Sequence, residues 1–275
     1  MIRLSALVCV SNQDSTLADC LRRLSFCDEI VVVADRCTDR SQEIALRAGA
    51  VVIDGIFPLE SQRKSAGLEL CSGDWILEIE PDEFVDPALA WEVRAALQMR
   101  PAGDHFEIPV DNYVGSTLVR HGWAGGLGVA SSVRLYRRGV KHWKPQRLHG
   151  GVTLAGAPAG ALKGALRRTV GRDIGEMIDR LNRLTALNAE DLADACDPGK
   201  LGSGVLGGAR QFLRSYLARK GWQEGRLGFL VALMAGLYPV LSHLRAREVL
   251  ESRRNAMFAE PRRGQVREVV GFGAR

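Results

Sequence analysis

No two of the six cysteines (Cys9, Cys20, Cys27, Cys37, Cys71 and Cys196) stand at C-x-x-C spacing. Several sit in apolar runs, as buried free thiols do, and a reducing compartment is the simpler expectation. The start, Met1-Ile2-Arg3-Leu4-Ser5, runs straight into a strand-like segment. It has neither the long apolar stretch nor the small-residue cleavage site of a signal peptide, so a cytoplasmic location is expected. No G-x-G-x-x-G follows the first strand signal; Val10-Ser11-Asn12-Gln13-Asp14 stands there instead. That argues against a dinucleotide-binding Rossmann enzyme, and the lack of G-x-x-x-x-G-K-[ST] argues against P-loop phosphoryl transfer. There is no internal repeat. The 275 residues are 46% apolar and 25% charged, which excludes disorder, collagen and disulfide-stapled miniproteins.

Net charge is +5, too modest to imply nucleic acid, but it is unevenly spread. Residues 1–100 hold 10 basic and 17 acidic residues, net −7; residues 101–275 hold 27 and 15, net +12. The asymmetry suggests two jobs, with the second half suited to anionic phosphate, lipid or RNA.

The first hundred residues alternate strand and helix signals. Leu4–Val10, Glu29–Val33, Val51–Ile53 and Trp75–Ile79 are apolar runs of strand length. Between and after them, 15–24, 38–49, 59–70 and 87–99 carry helical periodicity. Strands alternating with helices predict βαβ units, hence a parallel sheet in an α/β fold. From 104 to 155 short strand-like pieces alternate with turns, and Gly122–Gly128, with four glycines, reads as a mobile loop. Residues 174–195 read as a helix, 199–208 as a glycine-rich linker and 211–220 as another amphipathic helix. Leu227–Leu244, 18 residues interrupted by Gly236 and Pro239, is either an interfacial or partner-packing helix pair or an ordinary core helix.

The chemistry concentrates in Glu80-Pro81-Asp82-Glu83, directly after the fourth strand signal. Residues there sit at the carboxyl edge of a parallel sheet, where open α/β folds bind ligands. Carboxylates at i and i+2 outside a strand can share a hard divalent cation, Mg²⁺ or Mn²⁺, that bridges to substrate phosphates. An acidic loop capping the helix after Pro87 is the alternative. A second acidic cluster, Asp35 to Asp39, follows the second strand on the same edge. Asp39 reads best as a first-turn helix residue beside an N-capping Thr38. Asp35 leaves that structural role and contact with a nucleobase or ribose equally open.

Val31-Val32-Val33-Ala34-Asp35-Arg36-Cys37-Thr38-Asp39-Arg40-Ser41 resembles the VVVDsgSTDgT segment of family 2 glycosyltransferases. Gly73-Asp74-Trp75-Ile76-Leu77-Glu78-Ile79-Glu80-Pro81-Asp82-Glu83 resembles their GDWiLslDADE segment. Gln62-Arg63, Arg134-Leu135-Tyr136-Arg137-Arg138, and Phe212 to Tyr216 with Gly221 to Gly225 are similar to motifs of the lipopolysaccharide-core β-1,4-glucosyltransferase subfamily. The resemblance spans roughly residues 3–245, its five motifs in order.

It implies a GT-A fold, a Rossmann-like nucleotide-sugar half joined to an acceptor half, over residues 1–165. A helical extension (166–255) and a charged tail (256–275) would follow. It implies inverting transfer from a nucleotide-diphosphate sugar, usually UDP-linked, to a lipopolysaccharide or surface-polysaccharide type acceptor. By position, Asp35, Asn12 and Arg63 would serve the nucleotide. Glu80 and Asp82 would hold the diphosphate through a divalent cation, with His149 as a third ligand. Glu83 or His149 would activate the acceptor hydroxyl.

The sequence departs from the pattern at four places. Ala34 replaces an Asp, Glu80 the first Asp of D-x-D, Lys64 an Asn, and Gly150 the Glu of a vHE motif. The departures allow a weakened or metal-independent enzyme, or a catalytically impaired homologue that acts as a binding or scaffold protein.

Arg134, Arg137, Arg138, Lys141, Lys144 and Arg147, interleaved with Tyr136 and Trp143, form a basic run. It is either a solvated strand and turn or a surface for phosphorylated glycolipid and the inner membrane leaflet. No RNA- or DNA-binding motif accompanies it, so nucleic acid is not an expected partner. Peripheral attachment to the inner face of the membrane and self-association are the two outcomes expected of the apolar 227–244 stretch.

Overall fold

The computed structural model describes residues 2–124, 127–144, 151–195 and 201–259. Strand and helix alternate at the start as expected: β1 (Leu4–Val10), α1 (Asp14–Arg22), β2 (Glu29–Asp35), α2 (Ser41–Arg47), β3 (Val51–Gly55), α3 (Glu60–Leu70) and β4 (Trp75–Ile79). A two-residue strand β5 (Glu83–Phe84) and helix α4 (Pro87–Gln98) follow. Asp86 caps α4 by accepting the Leu89 N–H at 2.8 Å, and Pro87 takes the first helical position, where no donor is lost.

β1 lies between β2 and β4, parallel to both, and β3 flanks β2. Every residue of β1 is buried. A strand covered on both faces must send apolar side chains both ways. Leu4, Ala6, Val8 and Val10 enter a core shared with Leu17 and Leu21 of α1 and Leu89 and Val93 of α4. Leu7 and Cys9 enter a core on the opposite face with Val31 and Val33.

The second half adds β6 (His105–Val114), β7 (Thr117–Val119), β8 (Ser131–Arg137), β9 (Lys141–Trp143), β10 (Val152–Leu154), β11 (Pro158–Ala161) and β12 (Leu166–Gly171). β8 pairs antiparallel with both β4 and β6, giving the order β3-β2-β1-β4-β8-β6-β12-β5. β12 joins this mixed α/β sheet through β6 and β5, so the sheet runs on to Gly171 before the helices begin.

Helices α5 (Ile174–Asp194), α6 (Leu201–Leu213) and α7 (Gly225–Ala259) complete the chain, with a π-helical turn Arg214–Ala218 and a 3₁₀ turn Gly221–Glu224 between the last two. Two expectations need correction. The glycine-rich stretch 199–208 is not a linker where it is described; from Leu201 it is the first part of α6. A Cβ on Gly208 would come within 2.5 Å of the Gly236 carbonyl oxygen, so the glycines let α6 and α7 pack at close range. The described part of Gly122–Gly128 is packed rather than mobile. Trp123 and Leu127 are buried in a third core with Met177, Leu181 and Val231, and the Trp123 indole donates to the Val119 carbonyl at 2.7 Å.

α7 is one helix that runs through Pro239. By length and composition it could cross a bilayer, its most apolar window having mean hydropathy 1.8, yet 44% of that window is buried within the protein. It packs its Val231 and Met234 side against α5, while Phe229, Leu233 and Leu237 stay exposed.

Candidate active site

The carboxyl ends of β1, β2 and β4 open onto a cavity of about 710 Å³ bounded by α3, β9, β12 and α5. Asp35, Arg63, Glu80, Asp82, Arg168 and Arg180 all line it. The expected edge of the sheet therefore carries a cavity.

At one end is Asp35, the last residue of β2 and 4% exposed. Its Oδ1 accepts the Phe57 N–H at 3.1 Å and Arg36 Nε at 3.0 Å. Arg63 Nη1 lies 3.8 Å from its Oδ2. Arg36 takes a left-handed backbone (φ 52°), and its N–H donates to the Gly55 carbonyl at 3.0 Å. This turn aims Asp35 into the cavity instead of along the strand.

In the middle is Glu78, a buried carboxylate inside the otherwise apolar β4. A charge there survives only with partners. Lys64 Nζ and Lys141 Nζ each donate to it at 2.7 Å, Tyr136 Oη at 3.1 Å and Arg134 Nη1 at 3.3 Å. Burial alone would raise the Glu78 carboxyl, but Lys141, Lys64 and Arg134 together hold it far below the usual range. Glu80 Oε1 shares two of these partners, Lys64 at 3.0 Å and Arg134 at 3.4 Å. Burial acts against its ionisation too, and Lys64, Arg134 and Arg168 outweigh it. Burial also works against the Lys64 ammonium, but Glu78 and Glu80 more than offset it and keep the group charged.

At the far end is Asp82. One oxygen, Oδ2, accepts Arg180 Nη1 at 3.1 Å and Arg168 Nε at 3.2 Å, while the other, Oδ1, is buried with no hydrogen-bond partner. Glu83 is fully buried. It accepts Arg134 Nη2 at 2.7 Å and the Glu80 N–H at 3.0 Å. Burial dominates its titration and raises its pKa, despite Arg134 and Arg168. Four carboxylates (Glu78, Glu80, Asp82 and Glu83) thus face five cations (Lys64, Arg134, Lys141, Arg168 and Arg180) at 2.7–3.8 Å.

No family model matches the chain. A lipopolysaccharide core biosynthesis glycosyltransferase, LpsC of Rhizobium meliloti, is 26% identical over 271 residues, covering 92% of this chain and 95% of the relative. The chain is similar over almost its whole length to a glycosyltransferase. An uncharacterized glycosyltransferase of Rickettsia felis is 32% identical over 94 residues, 34% of this chain and 33% of that one. A solved structure of S. aureus TarS in complex with UDP-GlcNAc superposes with TM-score 0.48 at 14% identity, covering 93% of this chain and 92% of that chain. Glucosyl-3-phosphoglycerate synthase from Mycobacterium tuberculosis, solved with Mn²⁺, UDP and its product, superposes with TM-score 0.45 at 15% identity, covering 70% and 79%.

The mixed sheet with its cavity at the carboxyl edge is the GT-A arrangement that the motifs imply. Of the residues expected to serve a glycosyltransferase here, Asp35, Arg63, Glu80 and Asp82 line the cavity. Glu83 supports Arg134 from beneath and does not line it. Asn12 is spent locally: its Oδ1 accepts the Thr38 N–H at 2.7 Å and the Asp39 N–H at 3.3 Å, tying the turn after β1 to the turn before α2. His149, Gly150 and Arg147 lie outside the described residues. The basic run does not form one surface. Arg134 and Lys141 turn inward to Glu78, while Arg137 pairs with Asp104 at 3.1 Å.

Glu78, Arg168 and Arg180 line the cavity, and sequence reasoning did not single them out. A lone carboxylate in Trp75-Ile76-Leu77-Glu78-Ile79 was a signal for Glu78, since a buried charge on a central strand demands a cation. Nothing comparable marks Arg168 or Arg180.

The divalent cation implied by the resemblance would sit between Glu80 and Asp82. One oxygen of each carboxylate already carries two cationic donors. Among the described residues no group of three His, Cys, Asp or Glu is placed to hold a metal ion. With cations outnumbering carboxylates, the cluster offers a dication no uncompensated negative charge. Glu80 and Asp82, so paired, do not fit Mg²⁺ or Mn²⁺, and His149, the expected third ligand, lies outside the described residues.

Proposed function

We propose that this glycosyltransferase homologue moves a sugar from a UDP-sugar to a lipopolysaccharide-core type acceptor, with inversion at the anomeric carbon. The observation that carries the reading is the cavity itself, lined both by the Asp35 carboxylate and by the Arg168–Arg180 pair. A nucleoside fits the first chemistry and a diphosphate the second. The full-length similarity to LpsC, named for lipopolysaccharide core biosynthesis, supports the acceptor class.

In the reaction the acceptor oxygen bonds to the anomeric carbon while the bond from that carbon to the β-phosphate oxygen breaks. The electron pair leaves with UDP, and the acceptor proton goes to a base. Asp35 and Arg63 orient the nucleotide. Asp82 Oδ1, buried and unpartnered, accepts a hydroxyl of the donor sugar or acceptor. For the base we assign His149, the acceptor-activating residue that the resemblance implies. No step runs through a metal ion.

We place the protein on the inner face of the membrane, where a lipid-linked acceptor resides. Leu213, Leu217, Trp222 and Phe229 are each at least half exposed, beside the exposed cations Arg214, Lys220 and Arg226. Such a band suits an anionic bilayer surface.

The test is incubation of the purified protein with a panel of UDP-sugars and lipopolysaccharide core, read as mass gained by the acceptor. A hexose increment, lost in Asp35→Ala and His149→Ala, is expected. UDP binding without turnover on any acceptor would favour the scaffold alternative.

A further inference from the structure

We propose that Arg168 and Arg180 take the place of a divalent cation in this site, holding the donor's diphosphate and neutralising the charge that develops on it as UDP leaves. This deepens the UDP-sugar reading above and rests on it.

Three observations meet here. The first is placement: Arg168 of β12 and Arg180 of α5 both line the cavity, their side chains only 12% and 16% exposed. The second is valence. The two guanidiniums converge on a single oxygen, Asp82 Oδ2, and Arg180 Nε is buried with no partner. A guanidinium presents five N–H donors in a rigid fork that matches phosphate oxygens in pairs. Most of the donors of this pair are not spent on Asp82. The third is the state of the acidic loop. Lys64 and Arg134 occupy Glu80, so the oxygens that would otherwise recruit a metal are already neutralised.

The charge logic follows. A metal bridging two carboxylates and a diphosphate brings positive charge to an acidic loop. Here positive charge is already built in and fixed by Asp82. A preorganised cation aimed at a leaving diphosphate needs no reorganisation as the bond breaks. An entering diphosphate meets surplus cations, whereas an entering dication is repelled by them. Through Oδ2, Asp82 also positions the pair: it keeps two like charges side by side for the diphosphate to bind.

The test is calorimetric titration of the full chain with UDP, in EDTA and again in Mn²⁺, with uridine as a phosphate-free control. UDP is expected to bind equally well in both conditions. Arg180→Gln and Arg168→Gln should each weaken UDP by about tenfold or more while leaving uridine unchanged, the loss typical of a charge-assisted hydrogen bond. Arg180→Lys should recover part of the loss. Because uridine affinity reports an intact nucleoside site, a variant that merely misfolds loses both ligands and is told apart. UDP binding that requires Mn²⁺ overturns the inference and leaves the UDP-sugar reading standing. Unchanged UDP affinity in both glutamine variants also overturns it. No UDP binding in either condition sinks the donor reading and this inference with it.

Discussion

Lys64 Nζ lies 3.0 Å from Glu80 Oε1, so two departures from the glycosyltransferase motifs, far apart in sequence, are one structural change. Glu80 has one methylene more than the aspartate it replaces, and Lys64 is far longer than the asparagine it replaces. The longer carboxylate reaches the ammonium, and the ammonium also satisfies Glu78 at 2.7 Å. An asparagine at 64 would take a cation from the buried Glu78 and the half-buried Glu80, and removing one partner of a buried pair costs about 3–5 kcal/mol.

The first prediction follows from that pairing. Lys64→Asn should lower the urea midpoint sharply, and Glu80→Asp on its own should lower it less. The Lys64→Asn, Glu80→Asp double variant restores the family's residue types and frees one carboxylate from its internal cation. UDP titration of the double variant in EDTA and in Mn²⁺ is the measurement, and a gain of Mn²⁺ sensitivity that the wild type lacks is the expected result. A double variant as indifferent to Mn²⁺ as the parent would mean that Lys64 is not what closes the site to metal.

Glu78 sets a pH dependence of stability. A carboxyl whose pKa is lower in the folded than in the unfolded chain stabilises fully above the unfolded value and loses that contribution as pH falls. Glu78 starts from an ordinary value of 4.5 and is held far below it once Lys141, Lys64 and Arg134 overcome burial. Its contribution is therefore complete above pH 4.5 and drains away below it. Glu83 runs the other way, because burial raises it and its ionisation above pH 4.5 works against folding. Urea midpoints of wild type and Glu78→Gln, compared from about pH 7 to about pH 3, isolate the Glu78 term. The gap should be wide at neutral pH and narrow on acidification; a gap independent of pH would show that charge on Glu78 is not what stabilises.

Helix α3 delivers Arg63 and Lys64 because Gly67 lets it lie close on the sheet. A Cβ at Gly67 would strike Leu7 Cδ1 and come within 2.7 Å of Val33 Cγ2. Gly67→Ala should gain about 1 kcal/mol of helix propensity and lose about 1–3 kcal/mol to overpacking. The expected sum is a lower thermal midpoint together with weaker UDP binding, since the helix must lift away from β1. A stabilised Gly67→Ala protein with unchanged affinity would show that the helix has room to spare.

Much of this was legible in the chain. The apolar runs at β1, β2 and β4 announced the parallel sheet because a strand buried on both faces is largely apolar, Glu78 of β4 being the exception. The acidic loop after β4 was legible for the same reason, as the first polar break at the carboxyl edge. Helix α6 was not, because Gly202, Gly204, Gly207 and Gly208 read locally as a linker. The helix forms because close packing on α7 overrides propensity, and that partner lies elsewhere in sequence. The same holds at the site. Arg168 and Arg180 meet Asp82 across 86 and 98 residues, and no local pattern carries that contact.

The membrane reading makes the last prediction. Leu213, Leu217, Trp222 and Phe229 are 53%, 57%, 55% and 50% exposed. Arg214, Lys220 and Arg226 are exposed in the same segment, and each cation near an anionic surface is worth about 1 kcal/mol. Apolar side chains supply attraction that salt does not screen, and the cations supply attraction that it does. Co-sedimentation with vesicles should therefore rise with the fraction of anionic lipid and fall, but not vanish, at high salt. Trp222→Ala with Phe229→Ala should remove the salt-resistant part while leaving UDP affinity intact, since neither residue lines the cavity. Equal binding to neutral and anionic vesicles would sink the electrostatic half. A protein that ignores vesicles and sediments as a dimer, reverting to monomer in that double variant, would instead show that the band meets a second copy of the chain.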